Sequence, residues 1–323
     1  MSKPKVIVTR RWHAAVEKVL TERFDTQLNE DDHAMSVAEL QDALRNADAV
    51  LPTVCDQISA EVLGVDHMRA KILGSNGVGF NHIDLDAAKA AGLTVTNTPE
   101  VLTDCTADLA MTLLLMVARR AGEGERHLRS QSWRGWRPTH MMGSQVTGKT
   151  LGLIGMGRIA RAMAARAAHG FGMKIVFHDP FPPGADELQG LNATQCQSTE
   201  AVYAQADFLS LHCPGGPATH HLIDADAFAA MKSSAFLINS ARGDVVDEVA
   251  LVTALQAGEI AGAGLDVYEK EPAVTEALLS MENVVLLPHL GSATSETRYA
   301  MGMRVVENIE AFFAGDAPRD KLI

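Results

Sequence analysis

A glycine loop between an apolar run and an alanine-rich segment constrains the fold of this chain more than any other feature. The run Leu151–Ile154 is typical of a buried strand, and Gly155-Met156-Gly157-Arg158-Ile159-Ala160 follows it at once. In a strand–loop–helix unit, the first glycine permits the tight turn, the second lets a pyrophosphate approach the backbone, and a small third residue allows close helix packing. The helix N-terminus then offers free amides to phosphates. The pattern predicts a dinucleotide-binding unit with five cofactor-binding residues: Gly155, Met156, Gly157, Arg158 and Ile159.

An acidic residue downstream of this loop indicates which dinucleotide it binds. Asp179 follows the next strand-like run, Lys174–Phe177, about 20 residues on, where a carboxylate accepts hydrogen bonds from the adenosine ribose hydroxyls. A 2′-phosphate would be repelled there, and the segment 179–183 supplies no arginine or lysine to receive one. We therefore expect NADH to be favoured over NADPH. A solvated turn aspartate is the alternative interpretation.

The order of apolar runs predicts the architecture. A chain of 323 residues exceeds what one hydrophobic core usually supports, so two domains with a cleft between them are expected. Short β-branched runs alternate with helical patterns over the first hundred residues, and six more strand-like runs follow between 151 and 287. We expect an α/β protein with two doubly wound parallel sheets. They form a flavodoxin-like substrate domain of residues 1–100 and 291–323, and a Rossmann NAD-binding domain of residues 101–290.

Charge and cysteine content exclude several classes of function. The formal net charge of −12 argues against nucleic acid or an anionic membrane as a partner, since both need a basic face. The N-terminus lacks the pattern of a signal peptide, and no apolar run approaches the roughly 20 residues of a membrane helix. The four cysteines show no CxxC spacing, which favours reduced thiols over a metal site. We expect a soluble, cytoplasmic protein without a bound metal.

Several linked motifs in a fixed order resemble the D-2-hydroxyacid dehydrogenase family, particularly its glyoxylate and hydroxypyruvate reductases. The resemblance covers nearly the whole chain. It implies reversible hydride transfer between NAD(H) and the 2-carbon of a small 2-oxo or D-2-hydroxy acid, with reduction of glyoxylate or hydroxypyruvate as the expected reaction. Besides the glycine loop, the motifs are Gly77–Asp84, Asn97–Thr103, Asn239–Gly243, Gly264–Pro272 and Leu287–Gly291.

By this resemblance Arg242, Glu271 and His289 are the catalytic residues, and the chemistry requires these residue types. A guanidinium can bind the carboxylate of a 2-oxo acid and polarise its carbonyl. Hydride addition builds negative charge on the carbonyl oxygen, and a histidine can deliver the proton. A carboxylate bonded to the far ring nitrogen fixes the tautomer and favours the imidazolium. Taken singly, each residue could also be an ordinary strand-end or turn residue.

The resemblance implies further contacts. Backbone amides of Val78 and Gly79 are expected to bind substrate, although a plain glycine turn is equally compatible with the sequence. Trp136 resembles the tryptophan that reaches the partner's active site in the glyoxylate reductases, which implies a homodimer; burial in the chain's own core is the alternative. The remaining residues expected to contact the cofactor are Thr106, His212, Cys213, Pro214, Ala241, Asp266 and Gly291.

Alternatives stay open within the family and outside it. A D-lactate dehydrogenase is the main enzymatic alternative, and a nucleotide-sensing protein like the C-terminal-binding corepressors is the alternative from another class. Formate dehydrogenases carry glutamine at the position of Glu271, and phosphite dehydrogenases carry lysine at that of Val78, so the residues of this chain disfavour both classes. The stretch from Ala160 to Asp179 is one residue longer than usual in the family, and we expect the extra residue in a helix-ending loop at 169–172.

Overall fold

The structure, a computed structural model, describes residues 3–323 and divides into two compact units. Unit 1 contains the chain up to Leu102 together with Ser292–Ile323, and unit 2 is the continuous segment Thr103–Gly291. Each unit contains one parallel sheet, of five strands in unit 1 and seven in unit 2. The predicted fold class, α/β with two doubly wound parallel sheets, is confirmed.

Unit 1 has the strand order β2-β1-β3-β4-β5. Its strands are β1 (Lys5–Val8), β2 (Asp25–Gln27), β3 (Ala49–Leu51), β4 (Ile72–Gly74) and β5 (Thr94–Thr96). The helices between them are α1 (Ala14–Arg23), α2 (Val37–Asn46), α3 (Ala60–Leu63) and α4 (Leu85–Ala90). Successive strand residues point to opposite faces, so Val6 and Val8 pack with Val16 of α1 whereas Ile7 packs with Leu44 of α2.

Unit 2 has the strand order β12-β11-β10-β9-β6-β7-β8. Its helices are α5 (Thr103–Ala118), α6 (Ala121–Arg129), α7 (Arg158–Phe171), α8 (Thr199–Tyr203), α9 (Ala225–Ala230), α10 (Glu248–Ala257) and α11 (Glu276–Leu279). Its strands are β6 (Thr150–Ile154), β7 (Lys174–His178), β8 (Ala193–Gln195), β9 (Phe208–Leu211), β10 (Phe236–Asn239), β11 (Gly262–Leu265) and β12 (Val284–Leu286). The sheet separates two apolar cores, one containing α5 and α7 and the other containing α8, α9 and α10.

The chain returns to unit 1 in its last helix, α12 (Ser295–Ala314). Val305 and Ile309 of this helix pack against Val8 and Leu51 of the unit 1 sheet. Within residues 3–323, no helix combines the length and apolar character needed to cross a bilayer.

One local prediction is wrong, and it concerns the loop expected at 169–172. Helix α7 continues through Phe171 and ends at Gly172, whose φ of +59° provides the left-handed C-cap. Residues 169–171 are therefore helical, because Gly172, and not Gly170 inside the helix, adopts the left-handed conformation that ends it. The turn into β7 begins at Gly172 itself.

Candidate active site

The glycine loop connects β6 to α7 as a sharp turn with open space above the helix. Gly155 has a φ of +86°, and a Cβ there would lie 2.9 Å from the carbonyl oxygen of His212. Gly157 is the N-cap of α7, and nothing lies within 4 Å of the position a Cβ would take. A backbone amide cluster at a helix N-terminus with this clearance fits the pyrophosphate of a dinucleotide.

Asp179 lies directly after β7 and is hydrogen-bonded to the glycine loop. Its Oδ2 accepts the N–H of Met156 at 2.7 Å, and its Oδ1 accepts the N–H of Phe181 at 2.8 Å. Each carboxylate oxygen retains a lone pair for a further donor. The carboxylate is therefore fixed beside the loop and can still accept hydrogen bonds from ribose hydroxyls.

His212, Cys213 and Pro214 follow β9. Burial keeps the side chains of His212 and Cys213 uncharged. Nε2 of His212 lies 3.0 Å from Oγ of Ser210 and 3.3 Å from Sδ of Met163. Burial lowers the pKa of His212 to about 4 and raises the pKa of Cys213 to about 11. At neutral pH this segment therefore presents a neutral imidazole and a thiol, not a cation or a thiolate.

Arg242 follows β10 in a turn that its own sequence stabilises. Asn239, which is buried, donates from Nδ2 to the carbonyl of Arg242 at 2.9 Å and accepts the N–H of Ala241 at 3.0 Å. Burial lowers the pKa of Arg242, while the charges of Glu271 and Asp244 act to raise it. A guanidinium stays protonated under these conditions, so the turn presents a cation.

Glu271 and His289 form a hydrogen-bonded pair. Oε2 of Glu271 lies 2.8 Å from Nδ1 of His289, and its Oε1 accepts the N–H of Tyr268 at 3.1 Å. Burial acts to raise the pKa of Glu271, but the bond to His289, the N–H of Tyr268 and the charge of Arg242 outweigh it, and the pKa is lowered. Because Nδ1 is paired with the carboxylate, Nε2 is the ring nitrogen that can exchange a proton with a substrate.

The backbone at His289 is left-handed and is held by Asp266. His289 has a φ of +54°, a conformation that costs about 1–3 kcal/mol for a residue other than glycine. Its N–H donates to the Asp266 carbonyl at 2.9 Å, and the two Asp266 carboxylate oxygens accept the N–H groups of Leu290 at 2.6 Å and Gly291 at 2.8 Å. Thr106 adds a bond from Oγ1 to the Gly291 carbonyl at 3.0 Å. These contacts hold the strained turn in place.

Comparison with known proteins decides the family. Residues 111–291 match the model of the D-isomer specific 2-hydroxyacid dehydrogenase NAD binding domain. The chain is 42% identical over 321 residues to the glyoxylate reductase of Thermococcus litoralis, covering 98% of this chain and 96% of that protein. This chain belongs to the D-2-hydroxyacid dehydrogenase family. The predicted family is confirmed, and so is the prediction of a 2-hydroxyacid dehydrogenase, whose class is NAD(P)-dependent.

Other members of the dehydrogenase family match over the full length. The glycerate dehydrogenase of Hyphomicrobium methylovorum is 36% identical over 315 residues, covering 98% of each chain. The NADPH-dependent glyoxylate/hydroxypyruvate reductase of Sinorhizobium meliloti, solved with NADP and malonate, superposes with a TM-score of 0.87 at 36% identity. That match covers 99% of this dehydrogenase and 97% of the solved chain.

The predicted site residues of the dehydrogenase fall into four groups. Arg242, Glu271 and His289 follow β10, β11 and β12, and so lie at the carboxyl ends of three adjacent strands of unit 2. Val78 and Gly79 lie in unit 1 after β4, where Nδ2 of Asn97 donates to the Val78 carbonyl at 2.8 Å. Trp136 lies between α6 and β6 and is 82% exposed, so it is not part of the core of its own chain. The predicted cofactor residues all belong to unit 2.

Two buried residues around the Glu271–His289 pair of the dehydrogenase were missed by sequence reasoning. Tyr268 bonds to Glu271 through its N–H, and Glu248 accepts the N–H of Glu269 at 2.8 Å. Tyr268 belongs to a motif that signalled the family, but its own role depends on a fold contact that spacing does not reveal. Among the described residues, no group of three or more His, Cys, Asp or Glu is arranged to hold a metal ion.

Proposed function

We propose that this dehydrogenase reduces glyoxylate or hydroxypyruvate to glycolate or glycerate with NADH. The observation that carries the proposal is the Glu271–His289 pair, joined at 2.8 Å in the same unit as Arg242. An acid–base pair and a guanidinium following adjacent strands match what reduction of a 2-oxo acid requires. The names of the relatives, glyoxylate reductase and glycerate dehydrogenase, support this substrate class.

Each proposed catalytic side chain has a distinct role. The nicotinamide, when bound, supplies the hydride that adds to the carbonyl carbon. Arg242 binds the substrate carboxylate and polarises the carbonyl through its planar guanidinium. His289, protonated, donates the Nε2 proton to the carbonyl oxygen and becomes neutral, so that C=O becomes CH–OH. Glu271 orients the ring and stabilises the imidazolium.

We propose that unit 2 holds the dinucleotide and that Asp179 selects NADH. The carboxylate beside the glycine loop disfavours a 2′-phosphate, although one similar structure is of an NADPH-dependent enzyme. The charge state of His212 supports the same choice, since a neutral imidazole offers no charge to an extra phosphate. The residues proposed to contact the cofactor are Thr106, Gly155, Met156, Gly157, Arg158, Ile159, Asp179, His212, Cys213, Pro214, Ala241, Asp266 and Gly291.

For unit 1 we propose substrate binding through the backbone amides of Val78 and Gly79. The predicted substrate domain, residues 1–100 and 291–323, and the predicted NAD-binding domain, residues 101–290, are kept as the functional assignment. We further propose that the enzyme is a homodimer in which Trp136 reaches the partner subunit; the exposure of its indole supports this. Location in the cytoplasm stays a prediction, which fractionation of the source cells would test.

A panel of 2-oxo acids tests the proposed function. NADH oxidation is followed with glyoxylate, hydroxypyruvate and pyruvate, using His289→Ala as the control that removes the proposed proton donor. We expect kcat/KM for glyoxylate or hydroxypyruvate to exceed that for pyruvate by about tenfold or more, a difference of about 1.4 kcal/mol. A preference for pyruvate would indicate a D-lactate dehydrogenase. NADH binding without turnover of any acid would indicate a nucleotide-sensing protein.

A further inference from the structure

Tyr268 contacts both chain segments that carry the acid–base pair. Its N–H donates to Oε1 of Glu271 at 3.1 Å, and its hydroxyl donates to the carbonyl oxygen of Leu287 at 2.8 Å. Leu287 stands two residues before His289. The side chain is 8% exposed, and burial raises the pKa of Tyr268, so that the phenol remains a donor. One residue therefore joins the loop after β11 to the end of β12.

The loop around Tyr268 is anchored on its other side by Glu248, the first residue of α10. Oε1 of Glu248 accepts the N–H of Glu269 at 2.8 Å, and Oε2 accepts the hydroxyl of Thr275. Glu248 is 5% exposed, and a buried carboxylate of this kind is stable only while its oxygens have partners. The loop segment from 269 to 275, which carries Glu271, is thus fixed to α10 at both ends.

The backbone of Tyr268 also packs directly on the loop that carries Arg242. A Cβ at Gly243 would lie 1.9 Å from the carbonyl carbon of Tyr268 and 2.0 Å from its oxygen. No side chain fits at that position, so the two backbones remain in contact only because residue 243 is glycine. With its backbone fixed in this way, Tyr268 also contacts the end of β12 through its hydroxyl.

We propose that Tyr268 is a positioning residue that sets the geometry of the Glu271–His289 pair, with its amide holding the carboxylate and its hydroxyl holding the segment that leads to the histidine. The proposal rests on the catalytic roles assigned above to Glu271 and His289. Tyr268 acts through that pair. A partly buried carbonyl such as that of Leu287 is costly to leave without its donor, so the end of β12 shifts when the hydroxyl is removed.

The variant Tyr268→Phe tests the proposal, because it removes one oxygen and keeps the packing of the ring. We expect kcat for 2-oxo acid reduction to fall about tenfold, since small misplacements of reacting groups slow catalysis strongly. KM for NADH should be unchanged. The high-pH limit of reduction should move to lower pH, because a carboxylate held less closely to Nδ1 favours the imidazolium less.

Tyr203→Phe is the matched control. Tyr203 lies in the same unit, is 2% exposed and donates its hydroxyl to the carbonyl of Leu222 at 3.4 Å, so the same atom is lost away from Glu271 and His289. A merely structural role for Tyr268 predicts a lower melting temperature in both variants with the pH limit unmoved in each. A displaced limit in Tyr268→Phe alone supports the positioning role.

A double-mutant cycle with Glu271→Gln decides whether Tyr268 acts through the pair. We expect Tyr268→Phe to cause no further displacement of the pH limit in the Glu271→Gln background. An additive displacement overturns the proposal. The proposal is also overturned if Tyr268→Phe keeps the kcat and the pH limit of the parent while Glu271→Gln moves the pH limit. That result leaves the proposed function intact. Absence of turnover with every 2-oxo acid in the parent would instead overturn the proposed function itself.

Discussion

The carboxylate of Asp179 accepts the N–H of Met156 at 2.7 Å, so the residue proposed to select the cofactor is joined to the loop proposed to bind it. A negative charge in this fixed position disfavours a second anion at the same place. Because Met156 lies between the two glycines of the loop, the charge and the phosphate-binding backbone keep a constant spacing.

Cofactor preference follows from this contact. The parent enzyme should show a higher kcat/KM with NADH than with NADPH, and Asp179→Ala should narrow the ratio by roughly tenfold or more, since one removed charge repulsion corresponds to at least about 1.4 kcal/mol. Asp186→Ala, which removes an exposed aspartate from the same loop region, should leave the ratio unchanged. A parent that prefers NADPH would show that Asp179 has been assigned wrongly.

Arg242 and His289 should give different kinetic signatures. Arg242→Ala should raise KM for the 2-oxo acid and lower kcat together, with Arg242→Lys only a partial rescue because an ammonium lacks the planar bidentate geometry. His289→Ala should mainly lower kcat, by about 100-fold or more for a lost general acid. Steady-state kinetics of the three variants at saturating NADH would separate the roles. Identical kinetic losses in all three would contradict the division of tasks.

Glu271→Gln should displace the pH profile of both reaction directions. The lowered pKa of Glu271, in which the bond from His289 overcomes the effect of burial, keeps this group ionised at neutral pH. Removing its charge disfavours the imidazolium, so the high-pH limit of reduction and the low-pH limit of oxidation should both fall, by about 1 pH unit. Glu269→Gln is the control, since Oε1 of Glu269 lies 3.3 Å from Nε2 of His221 instead. Unmoved limits, with hydride transfer shown to be rate-limiting by deuterated NADH, would rule out the pairing.

The half-buried imidazole of His212 should make unfolding depend on pH. Its pKa is lowered by burial from 6.5 to about 4, so the unfolded chain binds a proton more readily than the folded one as the pH falls below 6.5. Stability is therefore present above pH 6.5 and is lost towards pH 4, by about 3 kcal/mol. His212→Asn should remove this part of the acid sensitivity in urea unfolding at pH 7 and pH 4.5. His67→Asn, at an exposed histidine, should leave the acid sensitivity unchanged. An equal loss of unfolding free energy between pH 7 and pH 4.5 in the parent and in His212→Asn would contradict the assignment.

The exposed indole of Trp136 should matter for the substrate and not for the cofactor. If it completes the pocket of a partner subunit, Trp136→Ala should raise KM for hydroxypyruvate several-fold while KM for NADH is preserved. Trp133→Ala, at a neighbouring tryptophan that is 50% exposed, is the control. A fully active enzyme that sediments strictly as a monomer would remove this role.

The sequence predicted the strongly apolar elements and missed the polar ones. Strands such as β6 and β9 are apolar because both faces of a parallel sheet are covered, whereas β2 (Asp25–Gln27) and β8 (Ala193–Gln195) are polar edge strands that resemble loops. Helix α2 was also missed, although Ser36 and Glu39 form a capping box at its start. Local pattern therefore predicts the apolar strands of each sheet and misses one polar edge strand in each, β2 and β8.

The candidate site shows the same limit. The family resemblance assigned the residues at 242, 271 and 289, and their roles stay predictions. No spacing rule relates the 18-residue separation of Glu271 and His289 to their 2.8 Å contact. The role of Tyr268 depends on which backbone carbonyl its hydroxyl reaches. Such contacts are decided by the packing of loops after three different strands, and a linear sequence does not encode them in any periodic form.

The bond from Thr106 to the Gly291 carbonyl joins the beginning and the end of unit 2. Because its first and last turns touch, the whole segment Thr103–Gly291 can be regarded as a cassette inserted into unit 1 between Leu102 and Ser292. A gene exchange that replaces everything outside the cassette would keep the glycine loop, Arg242, Glu271 and His289 together. If unit 1 binds the substrate as proposed, replacing unit 1 alone would change the substrate preference and leave the proposed catalytic residues in place.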